Sequence, residues 1–149
     1  MVDALRRAHS LLDSGGIVID IHPAPEPAHL ELAMGSGFVR LADRLDDGTP
    51  TGPMGRHMAA DAAVAACVAE GIFNREAAAA FTFHTHAATV DELLGYLQSK
   101  WKQLHFAEAD LARARDLLVQ RPGSAIAVTE RVTASRLAAA EHAASLSTR

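Results

Sequence analysis

A chain of 149 residues has the length of one domain, and a hydrophobic content of 49% is enough to form a buried core. The net charge of −4 disfavours a nucleic-acid-binding protein, because such a protein needs a basic stripe to neutralise phosphates. A single cysteine excludes an internal disulfide framework. The sequence shows no signal peptide and no apolar run of the roughly 20 residues that cross a bilayer. We therefore expect a cytoplasmic protein free of membrane contacts.

The first predicted elements are a helix and a short strand. Residues 3–13 place apolar side chains at three- and four-residue spacing, which is the pattern of an amphipathic helix. Gly15-Gly16 ends this helix, because glycine adopts a positive φ at little cost. Residues 17–21 are nearly all apolar and β-branched, which is typical of a strand covered on both faces, and Pro23 follows them.

The middle of the chain alternates between strand and helix patterns. Residues 30–34 and 38–45 flank Gly35-Ser36-Gly37, which indicates a hairpin, and residues 46–55 form a loop. An alanine-rich helix is predicted over residues 56–72, with Cys67 as a small core residue, and a strand over residues 79–86. Alternation along this strand separates two aromatic side chains from three polar ones: Phe81 and Phe83 on one face, Thr82, His84 and His86 on the other.

Two more helices and a last strand complete the prediction. Thr89 and Glu92 form a capping box at the start of the strongest helix pattern. Its apolar stripe predicts packing against the sheet or another helix, and comprises Val90, Leu93, Leu94, Leu97, Trp101 and Leu104. A further helix is predicted over residues 107–120 and a strand over residues 125–134, before a weakly ordered tail from about residue 139. No internal repeat or linker divides the chain, so we expect a single domain.

The run Leu11-Leu12-Asp13-Ser14-Gly15-Gly16, followed by the strand at residues 17–22, resembles a motif of class I S-adenosylmethionine-dependent methyltransferases. In that family the sequence "LLxxGG" leads into the fifth strand, and a helix, a sixth strand and an antiparallel seventh strand follow. Residues 56–72, 79–86 and 125–134 fit those places. The resemblance covers residues 3–134 as an order of elements and implies the carboxyl-terminal half of such an enzyme. We therefore expect an α/β or α+β fold, with helices packed on a mixed, partly antiparallel sheet of about five strands.

The parts of that family that bind the cofactor have no counterpart in this sequence. No glycine-rich loop follows a first strand, and no acidic residue ends a second strand to bind the ribose hydroxyls. Neither Gly15-Gly16 nor Gly35-Ser36-Gly37 can replace the loop, because the first ends a helix and the second lies in a hairpin. We expect no cofactor in the isolated chain, and S-adenosylmethionine only if a partner chain supplies the missing half.

Asp20 and His22 are the candidate catalytic residues. They share a strand face and could act as an acid–base pair at the carboxyl end of a strand, where open α/β sheets bind ligands. His84 and His86 have a spacing that can chelate zinc or a similar metal, with His22 and His57 as possible further ligands. The alternatives are a polar strand end for the first pair and a solvent-facing strand edge for the second. The sequence has no HExxH motif and no paired CxxC motif, which favours the solvent-facing interpretation of His84 and His86 over a metal site.

Arg40, Arg44, Arg56 and His57 flank the loop at residues 46–55 and are the candidate ligand-binding residues. Loops on rigid scaffolds often bind ligands, and arginines suit carboxylate and phosphate groups. A solvated, charged hairpin is the alternative interpretation of the same residues.

Three functional hypotheses follow. The first is a non-catalytic interaction or ligand-binding module that resembles a methyltransferase carboxyl-terminal domain and acts as a homodimer or with a complementary chain. An apolar strand at residues 17–21 with a bare edge needs such a partner, unless the hairpin at residues 30–45 folds over it. The second is a subunit of a split or truncated methyltransferase. The third is a small histidine- or metal-dependent enzyme.

Overall fold

The computed structural model of the chain describes residues 1–35, 37–45, 49–100 and 105–140. In chain order its elements are α1 (Val2–Ser10), β1 (Ile17–Pro23), β2 (His29–Met34), β3 (Gly37–Asp43), α2 (Pro53–Ala69), β4 (Phe73–Ala87), α3 (Val90–Lys100), α4 (Glu108–Gln120) and β5 (Ala125–Ala139). The five strands form one sheet whose pairings are antiparallel. The fold is α+β, with helices packed on the sheet, as the sequence predicted.

The last strand, β5, is the centre of the sheet. One of its edges pairs with β4 from Phe73↔Ala139 to Ala87↔Ile126. Its other edge pairs with β1 over residues 132–138 and with β2 over residues 125–129. β1 and β2 therefore lie end to end, separated by residues 24–28, and β3 pairs with the outer edge of β2. The predicted hairpin is confirmed, but it pairs with β5 and does not fold over β1.

The helices cover opposite faces at opposite ends of the sheet. Even-numbered residues of β5 point to one face and odd-numbered residues to the other, because side chains alternate along a strand. At the β2 end, α3 and α4 cover the even face, in a core that includes Leu32, Ile126 and Leu93. At the β1 end, α1 and α2 cover the odd face, in a core that includes Leu5, Phe73, Val64 and Leu137. Within the described part of the chain, helices thus cover only one half of each face of the sheet.

This arrangement corrects the expectation that residues 17–21 are covered on both faces. Val18 packs against the core of α1 and α2. Ile17, Ile19 and Ile21 point to the opposite face and are 41%, 55% and 60% exposed. The apolar content of β1 therefore reflects one buried face and one exposed apolar face.

The start of α3 confirms the predicted capping box. The backbone N–H of Glu92 donates to Thr89 Oγ1 at 3.1 Å, and Glu92 Oε2 accepts from the backbone N–H of Ala88 at 2.9 Å. Val90, Leu93 and Leu97 are buried, and Leu94 is partly buried against the same core. Trp101 and Leu104, the other predicted members of this stripe, lie outside the described residues.

The strands are longer than the sequence predicted. β4 begins at Phe73 where residue 79 was expected, and β5 extends to Ala139 where residue 134 was expected. Residues 77–80 are four alanines, which favour helices locally, but pairing with β5 holds them extended. The helix predicted over residues 56–72 runs from Pro53 to Ala69. Apart from Ala139 and Ala140, the predicted tail lies outside the described residues.

Four helices are present in the described part of the chain, and none of them is long and apolar enough to cross a membrane.

Candidate functional site

His22, near the end of β1, lies between two carboxylates. Its Nδ1 is 2.7 Å from Asp20 Oδ2, and its Nε2 is 2.8 Å from Asp61 Oδ1. The hydroxyl of Thr133, on β5, is 3.2 Å from the same Nε2. The structure therefore brings together the predicted pair of Asp20 and His22 and adds two partners that the sequence did not indicate.

The surroundings of His22 decide what this cluster can do. The side chains of His22 and Asp20 are both 12% exposed, whereas that of Asp61 is 44% exposed. Asp61 and Thr133 line an open cleft of about 300 Å³ between α2 and β4. Because each ring nitrogen of His22 already faces a carboxylate, proton transfer to a ligand in the cleft would require the displacement of Asp61. The geometry fits a contact that fastens α2 to β1.

His84 and His86 share a face of β4, as predicted, and lie over the uncovered half of the odd face. His84 Nδ1 is 2.9 Å from Thr129 Oγ1 and 3.8 Å from Oε2 of the buried Glu31. The ring of Phe38 stacks on that of His84 with a centroid distance of 4.3 Å, and the His86 ring lies 5.8 Å from the His84 ring.

This second cluster does not assemble the predicted metal ligands. His84 contacts Thr129 and Phe38, whereas His22 is engaged by Asp20 and Asp61 in a separate cleft. Over residues 1–35, 37–45, 49–100 and 105–140, no group of three or more His, Cys, Asp or Glu side chains is placed to hold a metal ion.

The four candidate ligand-binding residues are distributed over two environments. Arg40 lies on β3, and its Nε donates to Asp43 Oδ1 at 2.8 Å. Arg44 is buried and lies near His57, whereas Arg56 is exposed and its Nη1 donates to the carbonyl of Thr51 at 3.1 Å. Arg40 is therefore engaged by a carboxylate of its own strand, and ligand binding by the four residues stays a prediction.

The environment of His57 favours a neutral ring. Burial lowers the pKa of His57, and the positive charge of Arg44 lowers it further, against an opposing hydrogen bond with the backbone of Ala24. A lowered pKa disfavours the imidazolium form, so His57 is a poor partner for an anionic ligand at neutral pH. Cys67 is fully buried in the core of α1 and α2, as predicted, and burial raises the pKa of its thiol.

An exposed apolar surface lies on the even face of the sheet at the β1 end. We define the open half-sheet by five side chains and their exposed fractions, which are Ile17 (41%), Ile19 (55%), Ile21 (60%), Phe81 (47%) and Phe83 (46%). The isoleucines belong to β1 and the phenylalanines to β4, and β5 runs between them. The sequence predicted correctly which side chains share each face of β4, but it did not predict that the three isoleucines of β1 are exposed.

The charges on the open half-sheet are few. Arg136 of β5 lies between Ile19 and Ala77 and forms an ion pair with Glu76. Glu130 lies opposite Phe83 and is partly buried, and this burial raises the pKa of its carboxyl. The surface is thus mainly apolar, and its one arginine is neutralised within the same chain.

No protein-family model matches this chain, and the searches of curated proteins and of solved structures gave no match either.

Proposed function

We propose that this chain is an interaction module that pairs with a second copy of itself through the open half-sheet. The observation that carries the proposal is the exposure of Ile17, Ile19 and Ile21 beside Phe81 and Phe83 on one sheet face. Single exposed apolar residues are ordinary, but a contiguous group of large ones marks an interaction surface.

The area of this surface supports a second copy as the partner. Five large side chains that are about half exposed present on the order of 500 Å² of apolar surface. Two copies packed face to face would bury about 1,000 Å² in total, which is the lower limit for a specific interface. Two sheets pack about 10 Å apart in such contacts, with their side chains interdigitated.

The charges support the same partner. A symmetric contact places identical surfaces against each other, so a net charge on the surface would repel its own copy. The ion pair between Arg136 and Glu76 reduces that repulsion, because it neutralises the arginine within each copy. The mainly apolar side chains that remain gain by excluding water.

The module also fits a methyltransferase-like carboxyl-terminal domain without its own cofactor site. Gly15, between α1 and β1, has a φ of +76°. This supports the resemblance, because the glycines of the LLxxGG motif end a helix just before a strand. β1 and β4 both run antiparallel to β5 and lie on either side of it, so the last strand is antiparallel, as the resemblance implies.

Light scattering of the pure chain at tens of micromolar tests the proposal. We expect a mass of at least twice 15.8 kDa. Ile19→Asp places a charge in the middle of the open half-sheet and should halve that mass. Val119→Asp is the matched control, because Val119 is 82% exposed on α4 and outside this surface, and it should leave the mass unchanged. A wild-type mass of 15.8 kDa, or an unchanged mass for Ile19→Asp, would reject the proposal.

A second candidate function is a subunit of a split methyltransferase. It is favoured by the outer edge of β1, which pairs with no other strand among the described residues. A strand from a partner chain could pair there and bring the missing cofactor half. Methyl transfer from S-adenosylmethionine by a mixture of this chain and a separate glycine-loop chain, but by neither alone, would support this candidate over the first.

A further inference from the structure

β4 is a long strand with one unpaired edge. It spans 15 residues, and among the described residues it pairs only with β5. Residues 74–83 are all exposed. The backbone N–H and C=O groups along such an edge can pair with another strand.

The usual devices that protect an edge strand are missing from the middle of β4. Proline, lysine and other charged residues commonly block edge pairing. Residues 77–83 have the sequence AAAAFTF, which contains none of them. The bulge between Arg75 and Ala77 marks one end of this segment, and His84 follows its other end.

We propose that β4 pairs antiparallel with β4 of a second copy, with Ala80 of each copy on the two-fold axis. In this register Phe81 lies opposite Ala79 of the second copy, and Phe83 lies opposite Ala77. Each phenylalanine then packs over the space that a small side chain leaves, on the same face of the joined sheet. A shift of the axis to Phe81 would place two phenylalanines directly opposite each other and lose this alternation.

The antiparallel direction keeps the aromatic side chains of the two copies together. A two-fold axis perpendicular to the sheet relates antiparallel strands and leaves Phe81 and Phe83 of both copies on the same face. A two-fold axis along the strands would relate parallel strands and turn these side chains to opposite faces.

This contact is separate from the one in the open half-sheet. The axis of the β4 pair is perpendicular to the sheet, whereas the axis of a face-to-face pair is parallel to it. Perpendicular two-fold axes that meet give a closed assembly of four copies. The four-copy assembly rests on the proposed function, but the β4 pair does not.

Charge substitutions at Ala80 test the β4 pair. Ala80→Lys and Ala80→Asp each place like charges opposite each other at the two-fold axis, so each should halve the scattering mass of the full chain. An equimolar mixture of the two variants should restore it, because opposite charges then face each other. Failure of Ala80→Lys to change the mass, or failure of the mixture to restore it, would reject the pair.

A cross-linking variant keeps the test independent of whether the charged variants fold. Ala80→Cys should form a disulfide between copies under mild oxidation, whereas Ala79→Cys should not, because residue 79 faces residue 81 in this register. Cys67 is fully buried and should not take part. Equal cross-linking of the two variants would reject the register.

The scattering masses of the variants distinguish the open half-sheet contact from the β4 pair. If Ile19→Asp halves the mass and Ala80→Lys does not, the open half-sheet pairs copies and the β4 pair is wrong. If Ala80→Lys alone halves it, the β4 pair stands and the proposed function is wrong. Ile19→Asp combined with Ala80→Lys should reach a mass of 15.8 kDa if both contacts exist.

Discussion

At the level of single residues, the contacts of His22 connect two elements that are far apart in the chain. The imidazole contacts a carboxylate at each ring nitrogen, Asp20 of its own strand at Nδ1 and Asp61 of α2 at Nε2. Hydrogen bonds with a charged partner contribute more to stability than neutral ones, and a buried ring that loses one is left partly unsatisfied. The cluster therefore acts mainly on the position of α2.

Removal of Asp61 should weaken this attachment. Asp61→Ala removes the carboxylate at His22 Nε2 and leaves the Thr133 hydroxyl as its neighbour among the described residues. We expect a loss of about 1–2 kcal/mol in the free energy of unfolding, measured by urea denaturation at pH 7, because Asp61 is partly exposed and its interaction is partly screened. Asp61→Asn keeps a hydrogen-bonding oxygen and should lose less than half as much. Equal losses for the two variants would contradict this expectation and show that a neutral oxygen cannot replace the carboxylate.

The sequence could predict only part of this cluster. Asp20 and His22 are two residues apart in a strand, so the period of the strand places them on one face. Asp61 is 39 residues from His22 along the chain. Its contact depends on how α2 docks on the sheet, and the spacing of residues along the chain carries no signal for that docking.

At the level of elements, the start of α3 depends on its capping box. The Thr89 hydroxyl accepts from a backbone N–H that has no partner within the helix. Thr89→Ala should therefore cost about 1 kcal/mol in the free energy of unfolding, measured by thermal or urea denaturation. Ser99→Ala, in the last turn of the same helix, is the control and should cost less than about 0.5 kcal/mol. A cost for Thr89→Ala no larger than that of the control would contradict the capping assignment.

β4 shows why local patterns gave the type of an element more reliably than its length. The aromatic and β-branched residues 81–85 favour a strand, and the prediction found them. The alanines before them have a weak preference for helices, which pairing with β5 overrides. Local secondary-structure propensities contain no information on such long-range pairing, so the sequence did not predict the first six residues of β4.

At the level of the whole molecule, the chain alone should not bind S-adenosylmethionine. The sequence has no glycine-rich loop after a first strand and no acidic residue after a second strand to hold the ribose. Isothermal titration calorimetry at tens of micromolar protein should detect no heat of binding, and the cofactor should not raise the melting temperature. A dissociation constant in the micromolar range would contradict this prediction and favour an enzyme complete in one chain.

The order of the strands in the sheet has a consequence for how this protein reaches its native state. Three of the four strand pairings among the described residues use β5, which follows the other four strands in the sequence. Of these strand pairings, only that of β2 with β3 can form during synthesis before residues 125–139 leave the ribosome. Until then β1 and β4 lack the strand with which they pair, and both carry apolar residues that favour aggregation. Contacts between residues far apart in the sequence also form slowly, so the nascent chain remains accessible to chaperones and proteases until β5 has been synthesised.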